Sequence, residues 1–176
     1  MRTRLRRLLL AFAVCASALV LPPATSWTQG VGSWVSVAAA GHPEVRAPRN
    51  AGEFMARETQ AATLALRMAG TPYRWGGESP ESGFDCSGLI RWAYRQVGIE
   101  LPHNSQALYS VGQIVPRTRL RTGDLLFFSG LGHVGLYLGG GLMVHAPYSG
   151  KSVEVVELAA TNYGRRLVGA RRVVTS

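Results

Sequence analysis

The order of the hydrophobic patterns along the chain is the feature that most limits what it can fold into. Helix-like spacing of apolar residues comes first, and it then gives way to short runs rich in β-branched and aromatic residues. These runs are DLLFFS, HVGLYLG, LMVHAP, VEVVEL and LVGARRVV. Helices followed by strands predict an α+β domain with an antiparallel sheet of about five strands, because a doubly wound parallel fold would alternate the two kinds of element.

Three segments that precede the strands are predicted to be helical. Apolar residues recur at helical spacing between residues 53 and 69, and Gly70 ends that run. A second helix is predicted over residues 86–98 and a short third one over residues 104–110. Because the apolar face of the second helix is needed for the core, that helix must run inward from Cys86.

The N-terminal segment has the layout of a secretory signal peptide, with a basic head and an uncharged apolar run closed by two prolines. The basic residues are Arg2, Arg4, Arg6 and Arg7, and the apolar run covers residues 8–21. This run is shorter than the roughly 20 residues that a membrane-spanning helix needs, so we expect a cleaved signal and no permanent anchor.

These observations predict three parts. Residues 1–26 are the expected signal peptide, with cleavage as late as residue 40, and residues 27–52 form a linker or a pro-like segment. Residues 53–176 are the expected catalytic domain. The mature protein is then secreted or held in the cell envelope, as a monomer and without stable insertion into a membrane.

The charge of the chain is strongly positive, with 19 basic and 10 acidic side chains. It remains positive after the arginines of the signal are removed. An exported basic protein is attracted to the anionic polymers of an envelope, and salt weakens that attraction. The arginines are scattered and no nucleic-acid motif interleaves them, so nucleic acid is not the expected partner. The alternative is a solvated basic surface that reflects the base composition of the genome.

Cysteine usage is more specific. Cys15 would leave with the signal, so Cys86 would be the one cysteine of the mature protein and no intramolecular disulfide could form. A lone thiol in an exported protein is exposed to oxidants, although a free cysteine can also serve as a small buried apolar residue. A position in the first turn of a helix favours the thiolate, so we expect the pKa of Cys86 to be lowered.

A thiol nucleophile needs a partner that takes and returns its proton. The histidines outside the predicted signal are His42, His103, His133 and His145. His42 falls in the linker, and His103 follows a proline in a loop that could line a cleft. His133 opens one predicted strand and His145 closes the next, so adjacent antiparallel strands can bring the two rings together. His133 would then exchange protons with Cys86, and His145 would hold the His133 ring in the useful tautomer.

Zinc binding is the rival use of the same three side chains. Zinc sites usually show ligand pairs at tight spacing, such as C-x₂-C or H-E-x-x-H, and the sequence has none. We therefore expect no metal.

Several motifs resemble the NlpC-type cell-wall peptidases, which are papain-like cysteine hydrolases of bacterial envelopes. They are TPYRWGG, FDCSGLIRWAYRQVGIELPHNSQALYSVGQ, LRTGDLLFF, HVGLYLGGGLMVHAP and the closing GARRVV. The likeness runs from about Phe54 to the C-terminus, and its motifs occur in the order of the family. It implies a papain-like fold with the nucleophile at a helix N-terminus packed on the sheet.

The resemblance also implies roles for individual residues. Cys86 would be the nucleophile, His133 the general base and acid, and His145 the residue that orients His133. The hydroxyl of Tyr73 would join the backbone N–H of Cys86 in stabilising the oxyanion. The residues implied to contact substrate or line the cleft are Asp85, Ser87 and Ser105. Each of these three could instead be an ordinary helix cap.

The substrate implied by the resemblance is a peptide stem of peptidoglycan, cut between D-glutamate, through its γ-carboxyl, and a diamino acid such as meso-diaminopimelate. The reaction would pass through a thioester and needs no cofactor. Two alternatives stay open. One is an amidase or an acyltransferase with the same triad, and the other is a catalytically silent wall-binding module.

Overall fold

The computed structural model describes residues 49–173 of the chain. Four α-helices are present in this part: α1 (Ala51–Arg67), α2 (Cys86–Arg95), α3 (Ser105–Leu108) and α4 (Asn162–Arg166). The strands are β1 (Glu78–Ser79), β2 (Gly83–Phe84), β3 (Gln113–Ile114), β4 (Leu125–Phe128), β5 (Val134–Gly139), β6 (Leu142–His145), β7 (Glu154–Glu157) and β8 (Leu167–Arg172). A short 3₁₀ turn covers Arg117–Arg119.

The main sheet has six antiparallel strands in the order β3-β8-β4-β5-β6-β7. The five predicted runs form β4 to β8, and the sixth strand, β3, is a two-residue edge strand with both residues exposed. A separate two-stranded ribbon, β1-β2, lies in a stretch predicted to be loop. Strands of two residues are too short to show an alternating pattern, which is why the sequence did not indicate them.

The predicted helices form close to their expected positions. The first begins at Ala51, two residues earlier than predicted, because the Asn50 side chain accepts a hydrogen bond from the Glu53 N–H at 2.9 Å and caps it. The second begins at Cys86 as predicted, and it ends at Arg95, before the glycine expected to stop it. Helix α4 falls between two strand runs and was not predicted.

The sheet is covered on both faces, since successive residues of β4 enter two different apolar clusters. Leu125 and Phe127 pack with the buried residues of α1 and α2, whereas Leu126 and Phe128 pack with Met143, Ala170 and the half-buried Tyr163 of α4. Helices α1 and α2 therefore cover one face of the sheet, and α4 covers part of the opposite face.

None of the helices within residues 49–173 is long and apolar enough to cross a bilayer. The predicted signal peptide, most of the predicted linker and His42 lie outside the described residues, so the predictions made for them stay predictions.

Candidate active site

Cys86 occupies the first position of α2, and the side chain of Asp85 caps that helix. The Asp85 carboxylate accepts the Gly88 N–H at 2.7 Å. Cys86 is half-buried and free of any disulfide. It lines a cleft of about 280 Å³ to which other predicted site residues contribute: Tyr73, Asp85, Ser87, Ser105 and His133. His145 lies behind His133 and is fully buried.

The pKa of the Cys86 thiol differs from the expected one. Burial, and to a lesser degree the Asp85 charge, raise the pKa of Cys86, although backbone N–H groups of Val134, Ser87 and Cys86 itself act in the opposite direction. The prediction that the helix N-terminus lowers this pKa was wrong because desolvation of the thiolate outweighs the helix terminus. At neutral pH the side chain is therefore a neutral thiol.

The two strand histidines come together as the strand order predicted. His133 immediately precedes β5 and His145 is the last residue of β6, and these two strands pair. His133 Nε2 lies 2.9 Å from His145 Nδ1. Burial and the nearby Arg166 charge lower the pKa of His133 to about 4. Burial and His133 lower the pKa of His145 to about 3, so both rings are neutral at pH 7.

An aromatic residue that the sequence did not single out encloses the histidine pair. The ring of Tyr163, on α4, stacks on His133 with 5.6 Å between centroids and meets His145 edge-on at 4.8 Å. Phe128 packs edge-on against Tyr163 at 4.9 Å. This enclosure adds to the burial that is the main cause of the lowered histidine pKa values. No sequence pattern indicates this enclosure, because the short helix that carries Tyr163 has no apolar repeat.

Tyr73 lines the cleft from the segment that follows α1, and its backbone forms an isolated parallel bridge with Phe84. Burial raises the pKa of its hydroxyl, and the charges of Cys86 and Asp85 act in the same direction. The phenol therefore stays protonated and can donate a hydrogen bond into the cleft.

Asp85 and Ser87 are tied into a hydrogen-bond network at the start of α2. Besides capping the helix, Asp85 accepts the Gly76 N–H at 2.9 Å and the Ser87 hydroxyl at 3.0 Å. His103 Nε2 lies 3.0 Å from the same carboxylate and also lines the cleft. The alternative interpretation of Asp85 as a cap is thus observed, and its saturated carboxylate holds the wall of the cleft together.

Ser105 is not the cap of its helix, because Asn104 accepts the backbone N–H groups of Gln106 and Ala107. The Ser105 hydroxyl instead donates to the Leu131 carbonyl at 2.7 Å. Leu131 has a φ of 53°, a left-handed conformation that costs energy for a side chain of this kind. Ser105 therefore helps to hold the strained turn that delivers His133 to the cleft.

Within the part of the chain that the structure describes, no group of three or more His, Cys, Asp or Glu side chains could hold a metal ion. The Nδ1 atom of His145 is already occupied by His133. The rings of His133 and His145 are thus joined by one hydrogen bond between these two nitrogen atoms.

A cysteine at a helix N-terminus, next to a histidine pair on an antiparallel sheet, defines the class of papain-like α+β domains. The NlpC/P60 family model matches residues 70–172. The chain therefore belongs to the NlpC/P60 family, and the predicted family and the predicted α+β fold are confirmed.

Relatives of known name cover the same region. The chain is 41% identical over 123 residues to the murein DD-endopeptidase MepH of Escherichia coli, an alignment that covers 65% of this chain and 45% of that protein. It is 41% identical over 109 residues to the gamma-D-glutamyl-L-lysine dipeptidyl-peptidase of Bacillus subtilis, covering 58% of this chain and 36% of that one. The chain spans less than half the length of these relatives.

A solved structure agrees with the fold. The peptidoglycan hydrolase RipB of Mycobacterium tuberculosis superposes with a TM-score of 0.63 at 32% identity, over 74% of this chain and 70% of that one.

Proposed function

We propose that this chain is a cysteine endopeptidase that hydrolyses the peptide stems of bacterial peptidoglycan. The observation that carries the proposal is the 2.9 Å contact between His133 Nε2 and His145 Nδ1 behind a cleft lined by Cys86. Names of relatives support the same substrate class, since they include murein and gamma-D-glutamyl peptidases.

The proposed mechanism begins from a neutral thiol and a neutral imidazole, because burial raises the pKa of Cys86 and lowers that of His133. As the sulfur attacks the stem carbonyl, His133 removes the thiol proton and becomes an imidazolium that His145 steadies. The resulting oxyanion accepts hydrogen bonds from the Cys86 backbone N–H and from the Tyr73 hydroxyl.

His133 then gives its proton to the departing amine, and the acyl group remains on sulfur as a thioester. Water attacks the thioester with His133 again acting as base, which releases the new carboxylate and restores the thiol. Every proton taken in the first half of the cycle is returned in the same half or the next. None of these steps needs a cofactor.

The bond proposed for cleavage is the one between the γ-carboxyl of D-glutamate and meso-diaminopimelate. The name of the B. subtilis relative favours a γ-D-glutamyl bond, whereas the name of the E. coli relative favours a D,D bond between stems. Cleavage of D,D cross-links is therefore the second candidate. Amidase or acyltransferase action by the same three residues, or a silent wall-binding role, would give different products or none.

Approach to the wall is proposed to depend on charge. The formal net charge of +9, of which +5 remains once the four signal arginines are subtracted, favours contact with anionic wall polymers, in an extracytoplasmic location and as a monomer. Binding of the protein to isolated sacculi should weaken as salt is raised. Binding that is indifferent to salt would contradict this part of the proposal.

The test is to incubate the purified protein and its Cys86→Ala variant with diaminopimelate-type sacculi and to analyse the released fragments by mass spectrometry. Stems that end in D-glutamate, formed by the wild type alone, would support the proposed bond and nucleophile together. Loss of cross-linked dimers without shortening of the stems would favour the D,D bond. Equal products from both proteins would refute the role of Cys86, and release of sugar-linked lactyl groups free of peptide would indicate an amidase.

A further inference from the structure

One polar atom at the centre of the candidate site has no hydrogen-bond partner among the described residues. His145 is fully buried, and its Nδ1 is engaged by His133, yet its Nε2 finds no acceptor within hydrogen-bonding geometry. A buried ring N–H without a partner is costly. Glu154 Oε1 lies 3.5 Å from this atom.

The position of Glu154 follows from the register of the sheet. Strands β6 and β7 pair antiparallel, and His145 stands directly opposite Glu154. Directly paired residues project from the same face of a sheet with their Cβ atoms close together. Burial, and then the charge of Glu154, raise the pKa of Tyr163, which places the Glu154 carboxylate near the aromatic enclosure of the histidine pair.

The tautomer of His145 decides whether His133 can act as a base. Neutral His145 carries one N–H, and if it lies on Nε2, then Nδ1 is free to accept the Nε2–H of His133. His133 then has a bare Nδ1 with which to take the proton of Cys86. If His145 instead carries its hydrogen on Nδ1, it donates to His133 Nε2, the His133 hydrogen moves to Nδ1, and no lone pair remains for the thiol.

We propose that Glu154 is a positioning residue that selects the Nε2–H tautomer of His145 and so keeps His133 in its basic form. A carboxylate favours an N–H pointing toward it over a nitrogen lone pair. In this structure the contact is long for a hydrogen bond, and it acts through charge. The Glu154 side chain is 45% exposed, whereas the His145 side chain that it faces is fully buried.

Glu154 does not line the cleft, so it acts on the reaction through the two rings and not on the substrate. The inference rests on the proposed function for its effect on rate. Its effect on the tautomer is a property of the folded protein and does not depend on any activity.

The decisive variant is Glu154→Gln in the full chain, because glutamine keeps the shape of glutamate but can either accept from or donate to Nε2, and so no longer selects between the tautomers. The matched control is Glu157→Gln. Glu157 lies on the same strand, is exposed, and sits three residues along, which places it on the other face of the sheet.

Two readouts are measured on both variants. In ¹⁵N-histidine spectra we expect His145 of the wild type to show a protonated Nε2 and a bare Nδ1, and Glu154→Gln to show a mixture of tautomers. In muropeptide assays we expect Glu154→Gln to lower kcat about tenfold with KM unchanged, because the variant loses the charge that favours the productive tautomer of His145 and the imidazolium of His133. Glu157→Gln should change neither readout.

The outcomes separate the inference from the proposed function. An unchanged His145 tautomer in Glu154→Gln, or a wild-type His145 protonated on Nδ1, would overturn the inference whatever the activity. A tautomer that changes as expected in a protein that cleaves no peptidoglycan would uphold the role of Glu154 and refute the proposed function. A fall in kcat shared by Glu157→Gln would show a general effect of charge and would also overturn the inference.

Discussion

Glu58 is a buried carboxyl at the centre of α1, and it makes the stability of the domain depend on pH. Its side chain is 4% exposed, and one of its oxygens has no hydrogen-bond partner among the described residues. Burial, and then repulsion from the charge of Asp124, raise its pKa from 4.5 to about 7. Asp124 itself is held by Arg172, whose guanidinium donates to both of its carboxylate oxygens at 2.8 Å.

The direction of the effect follows from comparing the folded and unfolded states. Between pH 4.5 and about 7 the unfolded chain releases the Glu58 proton while the folded domain keeps it, so the free energy of unfolding falls as pH rises through this window. The shift corresponds to about 3 kcal/mol if converted in full. Water and nearby polar groups respond to the charge, and we expect about 2 kcal/mol to be lost between pH 5 and pH 8.

The perturbation is Glu58→Gln, which keeps the shape of the side chain and removes its titration. We expect the variant to be close to the wild type in urea unfolding at pH 5 and about 2 kcal/mol more stable than the wild type at pH 8. Glu100→Gln, at an exposed position, is the control and should show no such difference between the two pH values. A stability difference between Glu58→Gln and the wild type that is the same at pH 5 and pH 8 would refute the reasoning.

Three further predictions concern the cleft. Alkylation of Cys86 by iodoacetamide should accelerate steadily with pH above neutrality, because burial raises its pKa, and a plateau reached below pH 7 would contradict a neutral thiol. Tyr73→Phe should lower kcat on muropeptides about 100-fold with KM little changed, and a change confined to KM would argue against a role in holding the oxyanion. Gly88→Ala should lower the melting temperature and abolish activity, because the added Cβ would lie 2.0 Å from the Gly77 carbonyl oxygen. In the control Gly52→Ala, in α1, the added Cβ meets nothing closer than 3.5 Å, so this variant should be neutral or stabilising in thermal melts.

The order of the elements could be predicted because each long element carries its own local signal. The spacing of Phe54, Ala61 and Ala65 marks one face of α1, and all three are buried. Glu58 lies on the same face at the same spacing, yet its polarity hides its position from a pattern of apolar residues. Long-range contacts with Asp124 and Arg172 give this residue its properties, and those contacts are visible only in three dimensions.

Some features of the candidate site could likewise be predicted from the sequence, and others could not. That His133 and His145 would meet could be predicted, because one opens a strand and the other closes its antiparallel neighbour. The enclosure by Tyr163 could not, since it depends on a short helix that packs across the sheet. Nor could the contact between His103 and Asp85, which joins two loops and has no sequence spacing that would predict it.

The buried setting of the site also protects the Cys86 thiol from oxidation. Oxidants attack the thiolate and not the thiol, and burial holds Cys86 in the thiol form. His133 is neutral in the resting protein as well, because burial and the nearby Arg166 charge make its protonated form unfavourable. In the proposed mechanism the thiol proton moves to His133 as the sulfur bonds to an acyl carbonyl and the negative charge passes to the carbonyl oxygen, so the same burial that protects the thiol would couple its deprotonation to the arrival of substrate.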